Sequence, residues 1–314
     1  MPVVAAFATS HAYTFQEPET WDTRRERSKA NVAKKAGWLA PDTREAHDET
    51  LEDNRARYAH IREAHAKIRA HLERSKADAV VLIGDDQLEN FSSENIPQLL
   101  VYTGGAYVAE DWDRKRTATI ANHPRVAQQL LEGCLAEGFD VGWSTSFKGG
   151  KLLSHAHTEP ILYLIEKSGI PVVPLFVNAV HPPAPSAARC YAFGQALRRV
   201  IDADGANRRI VLCASGGLSH FSPSHPWAHH LGPRYVGDIS VEFDRKIVGW
   251  MRSGEGRRLA DLGAGELIEH GEGELRQWIV LLGAIGALKP EFLVYEPLFR
   301  SIMGMGVGYW KLEE

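Results

Sequence analysis

Short apolar runs alternate with longer polar or amphipathic segments along most of the chain, and this alternation constrains the fold more than any other feature. Residues 3–9, 79–83, 99–102, 172–177 and 210–214 are strand-length runs built largely from Val, Leu, Ile, Ala and Phe. Runs this apolar predict strands buried on both sides. From 48 to 76 the apolar positions Leu51, Tyr58, Ile61, Ala64, Ile68 and Leu72 recur at helical spacing among many charges, which predicts one long amphipathic helix. Further helices are expected over 126–136, 161–166, 186–201, 239–251 and 274–288. Strands and helices in this order predict an α/β fold, a single domain of 1–314 with a sheet covered by helices on both faces. Residues 13–45 are polar, with Tyr13, Phe15, Trp21 and Trp38 spaced through them, and read as an excursion with some helix that serves as a lid or partner contact. Gly104-Gly105, Gly149-Gly150 and residues 304–308 read as glycine-rich loops.

Composition narrows the function classes. The 314 residues carry a net charge of −4, which gives no electrostatic reason to expect nucleic acid or an anionic membrane as partner. No apolar run reaches the roughly 18 residues that span a bilayer. The start of the chain lacks the basic segment and cleavage site of a signal peptide. Cys134, Cys190 and Cys213 are odd in number and widely spaced, as expected for buried thiols in a reducing cytoplasm. No dinucleotide fingerprint, phosphate loop or Gly-x-Ser-x-Gly elbow is present.

The residues suited to chemistry stand where the strands stop. Ser10-His11, Asp85-Asp86-Gln87-Leu88-Glu89, Ser154-His155-Ala156-His157 and Ser215-Gly216-Gly217-Leu218-Ser219-His220 each close or follow an apolar segment. In an open α/β sheet such ends can share one cleft. Two glycines before a histidine let the backbone turn and allow close approach, and an imidazole can take and give a proton near neutrality. Gly271-Glu272-Gly273-Glu274 opens an apolar helix, where a carboxylate is favoured by the helix dipole alone. Two imidazoles and one carboxylate with open positions form the set preferred by non-haem Fe(II) in oxygen chemistry. Plainer readings stand beside these: His47, His60 and His71 as solvated residues of the charged helix or its flank, and His65 at the edge of its apolar stripe. His225, His229 and His230 fall in a polar loop that either lies on the surface or assists substrate access.

Taken together, the chain resembles the class III extradiol ring-cleaving dioxygenases, the family of the protocatechuate 4,5-dioxygenase β subunit. The resemblance runs through Thr9-Ser10-His11, Ile83-Gly84-Asp85-Asp86-Gln87 with Phe91, and His155 with Thr158 and Pro160. It continues through 174–178 with Pro182-Pro183, 189–194, 216–220 and Gly273-Glu274-Leu275 with Trp278. Asp85-Asp86-Gln87-Leu88-Glu89 and the tail 295–301 look most like the gallate and 3-O-methylgallate enzymes of that family. The resemblance implies a central mixed sheet and an Fe(II) cofactor with His11 and Glu274 as metal ligands. It implies His220 as acid/base and His155 as a second active-site histidine.

Gln87 departs from the family, because it stands where protocatechuate enzymes carry their second iron-binding histidine. Either Gln87 is the third metal ligand through its amide oxygen, or Glu89, His47 or His157 completes the site, and loss of the metal is the third reading. His157, His181, Tyr191 and Arg300 are candidates for meeting substrate hydroxyls or a carboxylate. The expected reaction is cleavage of a gallate-, methylgallate- or protocatechuate-like ring beside its hydroxyls, using dioxygen. A metal-dependent hydrolase or lyase on the same scaffold is the alternative, and a non-catalytic binding subunit a third reading. A cytoplasmic homodimer is expected, with 13–45 and an exposed tail packing on a neighbour.

Overall fold

The computed structural model describes residues 3–147, 152–221 and 234–312. The strands are β1 (Val3–Thr9), β2 (Ala79–Gly84), β3 (Leu99–Tyr102), β4 (Tyr107–Glu110), β5 (Thr117–Ile120), β6 (Gly142–Ser144), β7 (Val172–Val177), β8 (Ile210–Ser215), β9 (Phe292–Leu298) and β10 (Met303–Lys311). The helices are α1 (Trp21–Ala36), α2 (Arg44–Asp48), α3 (Leu51–Ser75), α4 (Pro124–Ala136), α5 (His155–Pro160), α6 (Ala187–Asp202), α7 (Val241–Ser253), α8 (Ala264–Glu269) and α9 (Leu275–Ile285). Eight strands form one mixed sheet in the order β6-β3-β7-β2-β8-β1-β10-β9, while β4 and β5 pair as a separate ribbon.

Each fully buried strand divides its side chains between two cores, as a period of two requires. Val81, Ile83, Val173, Leu175, Leu212 and Ala214 face the layer of α4, α6 and α9. Val80, Leu82, Val172, Phe176, Val211 and Cys213 face α3 and the turn 161–165. In β1, Val4 and Ala5 both lie on the α3 side, because the pairing with β8 shifts register between Val3 and Ala5. Helix α3 starts at a capping box: Thr50 accepts from the Asp53 N–H at 3.1 Å, and Asp53 accepts from the Thr50 N–H at 3.2 Å. The helix expected over 161–166 is a wide π-type turn continuing α5 through Pro160. All three cysteines are buried and free.

The structure corrects two expectations. Residues 304–308 are not a loop but the middle of β10, hydrogen-bonded between β1 and β9. Their glycines alternate, so one face of the strand carries no side chains. A Cβ at Gly306 would lie 3.1 Å from the Trp278 ring, and one at Gly304 would lie 2.3 Å from Asp244 Oδ2. The tail is likewise no exposed appendage, since 292–298 form the edge strand β9, where Pro297 is tolerated. The excursion 13–45 is packed onto the body: Trp21 is fully buried, and Phe15 stacks on His65 and Tyr163. Gly149-Gly150, His225, His229 and His230 lie outside the described residues.

Candidate metal centre

Strands β2, β8 and β1 are adjacent and mutually parallel, so their C-terminal ends open on one side of the sheet. There β1 delivers His11, β2 delivers Asp85 and its following loop, and β8 delivers the Gly216-Gly217 turn. Glu274 reaches the same point from the start of α9. A side chain at residue 216 would not allow this, because a Cβ there would stand 2.5 Å from the Glu274 carbonyl oxygen. Trp278 Nε1 then donates to the Gly216 carbonyl at 2.9 Å and fixes the turn from below.

His11, Asp85 and Glu274 are buried and offer ligand atoms that all lie within 4.8 Å of one another. His11 Nε2 lies 3.6 Å from Glu274 Oε2, while its Nδ1 meets Ser215 Oγ at 3.3 Å. Both Asp85 carboxylate oxygens are buried, and none of the described residues hydrogen-bonds to them. Glu274 is, by contrast, fully engaged. Its Oε2 accepts the Gly217 N–H at 2.6 Å, and its Oε1 accepts from Gln87 Nε2 at 2.9 Å and faces His220 Nε2 at 3.3 Å. Electrostatics follow from these contacts. Burial pushes the His11 imidazole down to about 4, although Glu274 pulls the other way, so His11 presents a neutral ring. Burial and the neighbouring Glu274 charge raise Asp85 well above the usual carboxylate range. Burial would raise Glu274 too, but His11, His220 and the Gly217 N–H outweigh it and hold that carboxyl well below its ordinary value.

Two further histidines frame the cluster. His220 donates through Nδ1 to the Leu218 carbonyl at 2.8 Å, and its titration is raised because Glu274 and these hydrogen bonds outweigh burial. His155 stands edge-on to His11 with ring centroids 4.8 Å apart. Glu89 Oε1 accepts both the His155 N–H at 3.1 Å and its Nδ1–H at 2.8 Å. Burial opposes charge on His155, but Glu89, Asp85 and Glu274 overcome it and push the imidazole up to about 9. Leu88, between Gln87 and Glu89, has a left-handed φ of 69°. That turn directs Gln87 toward Glu274 and Glu89 toward His155, at a backbone cost of about 1–2 kcal/mol.

The structure therefore brings His11, His155, His220, Glu274 and Gln87 together, and Asp85 joins His11 and Glu274 in the group whose ligand atoms lie within 4.8 Å of one another. Among the alternatives, Glu89 is committed to His155, and His47 is exposed on α2. His157 is fully buried, bonded to Ser154 Oγ and the Leu175 carbonyl, with its ring against Gly84, so it packs beneath the site instead of facing a substrate. His181 latches the ligand loop through Nε2 to the Asp86 carbonyl at 2.9 Å. Tyr191 belongs to the core under α9, with Arg257 over its ring. Arg300 binds Asp22 at 2.9 Å and ties α1 to the turn after β9. Two residues carry more than the sequence indicated. Asp85 stood in the polar segment after a buried strand but was not singled out as a member of the group with His11 and Glu274. Trp112, half-exposed on the loop of the β4–β5 ribbon, stands edge-on to His155 at 4.5 Å, and nothing in its sequence context marked it.

Residues 45–306 match the family model described as the catalytic LigB subunit of aromatic ring-opening dioxygenase. A 2,3-dihydroxyphenylpropionate/2,3-dihydroxicinnamic acid 1,2-dioxygenase of Photorhabdus laumondii is 23% identical, covering 79% of this chain and 89% of that protein. The Klebsiella pneumoniae enzyme of the same description is 22% identical, covering 77% and 88%. A gallate dioxygenase of Pseudomonas putida is 33% identical, but over only 32% of this chain and 29% of that protein. Among solved structures, an uncharacterized protein of Escherichia coli K12 aligns over 97% of this chain and 99% of its own, with a TM-score of 0.48 and 15% identity.

Proposed function

The chain belongs to the family of the catalytic LigB subunit of aromatic ring-opening dioxygenases, and from that premise we propose that it opens a catechol-type ring beside its hydroxyls at a divalent metal held by His11, Asp85 and Glu274. The observation that carries this reading is the buried cluster at three adjoining strand and helix ends, in which Asp85 has two oxygens unpartnered among the described residues. A buried carboxylate without a partner is costly, and a cation would relieve that cost. The donor set fits such an ion: a neutral imidazole, two carboxylates, and a Ser215 hydroxyl on the far nitrogen of His11 to fix its orientation. Fe(II) is the proposed metal. When bound it would acidify the substrate hydroxyls and provide one centre at which ring and dioxygen meet.

The remaining roles belong to side chains. His220 is held by Leu218 so that Nε2 points at the Glu274 carboxylate edge, where it can exchange a proton with a substrate hydroxyl seated there. His155 keeps its proton at neutral pH through Glu89 and supplies a donor toward negative charge developing on oxygen. Trp112 offers an aromatic edge at the mouth, suited to a flat ring. Family membership favours ring opening over the hydrolase or lyase reading. Gallate-, methylgallate- and protocatechuate-like diols are the proposed substrates, and no helix of the described residues is long and apolar enough to cross a membrane. The test is oxygen uptake and ring-opened product absorbance with Fe(II)-loaded protein and a panel of catechols. Uptake matched by product with at least one diol is expected; an intact panel with metal-loaded protein contradicts the proposal.

A further inference from the structure

We infer that Gln87 is a positioning residue and Asp85 the third ligand, so that this chain's metal site holds one imidazole and two carboxylates, an oxygen-rich set that narrows the usual advantage of softer divalent ions over Mn(II). The inference rests on reading the centre as metal-binding, but not on the identity of the substrate. Gln87 Nε2 lies 2.9 Å from Glu274 Oε1. The opposite amide orientation would set two oxygen lone pairs against each other, so the nitrogen must face the carboxylate. An amide used as a donor to a ligand orients that ligand. Neither His220 nor His155 belongs to the group whose ligand atoms lie within 4.8 Å of one another; Nδ1 of His220 donates to the Leu218 carbonyl and Nδ1 of His155 to Glu89.

Asp85, fully buried with no described residue hydrogen-bonded to its oxygens, completes the group with His11 and Glu274, the one such group of three among the described residues. Two carboxylates would balance the charge of a divalent ion inside a buried site. Carboxylate donors suit Mn(II) and other hard ions, whereas each added imidazole favours Zn(II), Cu(II) and Fe.

The test uses metal-free full-length protein titrated with Mn(II) and with Zn(II), and pulsed electron paramagnetic resonance of the Mn(II) form to count coordinated imidazole nitrogens. One imidazole is expected in the wild type and in Gln87→Ala. Asp85→Asn should bind Mn(II) at least about tenfold more weakly, and Gln87→Ala should lose less than Asp85→Asn while keeping the nitrogen signal. Gln87→His should raise affinity for Zn(II) relative to Mn(II). Two imidazoles in the wild type, wild-type affinity in Asp85→Asn, or a larger loss in Gln87→Ala than in Asp85→Asn each overturn the inference. A one-imidazole site in a protein that leaves every catechol intact would refute only the ring-opening reading.

Discussion

Asp85 and Gln87 stand two residues apart on one loop and face the same carboxylate neighbourhood with different chemistry. That the segment after β2 carried polar side chains toward a site was legible in the sequence, as were His11, His155, His220 and Glu274 as residues at element ends. Which of several consecutive polar residues turns inward was not, because the left-handed turn at Leu88 decides it and no glycine marks the position. Glu89, weighed as a ligand, instead fixes His155. Removing its charge in Glu89→Gln should cost about 2 kcal/mol near pH 7, somewhat below the loss for a fully buried pair. A raised histidine stabilises the fold below its ordinary value of 6.5 and loses that contribution as pH rises through about 9. Thermal melts should thus show wild type and Glu89→Gln separated at pH 7 and converging by pH 10.

Glu159 gives a second pH signature: burial is the main cause that raises it to about 7, and none of the described residues hydrogen-bonds to its Oε2. A raised acid favours folding below its ordinary value and loses that advantage as pH rises through about 7. Glu159→Gln should therefore gain on the wild type between pH 4.5 and 8, by up to about 3 kcal/mol, read from denaturant midpoints.

At the scale of elements, the periodic helices and apolar strands were readable because burial pattern and period agree in them. Helix α3 ran as its spacing indicated, with ends set by the Thr50 cap that the apolar positions alone do not mark. Strands β9 and β10 were not readable. Glycine at every second position of β10 removes the alternation that would identify a strand and suggests a loop instead. The alternation exists because Trp278 and Asp244 approach the bare face of the strand. Asp244 also accepts the Ser219 N–H at 3.1 Å and its hydroxyl at 2.8 Å, so β10 helps to seat the turn that carries His220. Gly304→Ala should destabilise the protein by about 1–3 kcal/mol through overpacking against Asp244, measured by chemical denaturation. A wild-type midpoint would mean that the turn relaxes freely.

For the whole molecule, the decisive property is strand order. Segments near residues 10, 85 and 216 are distant in sequence, and they meet because β1, β2 and β8 run parallel in the order β2-β8-β1. The apolar runs predicted the layered class, yet pairing order is a long-range property that no local pattern encodes. A centre spread over so many elements should couple metal binding to global stability. With free metal at 100 times its dissociation constant, the fold should gain about 2.7 kcal/mol. A melting temperature raised by metal in the wild type and raised less in Asp85→Asn is the expected pattern. The central claim, ring opening by dioxygen at this centre, is tested most directly by isotopically labelled dioxygen and mass spectrometry of the product formed from a cleaved catechol. Both atoms of labelled dioxygen should appear in the ring-opened product of the wild type, with product lost in Asp85→Asn and His11→Ala. A product that carries no label from dioxygen, or one formed equally well without oxygen, would contradict it.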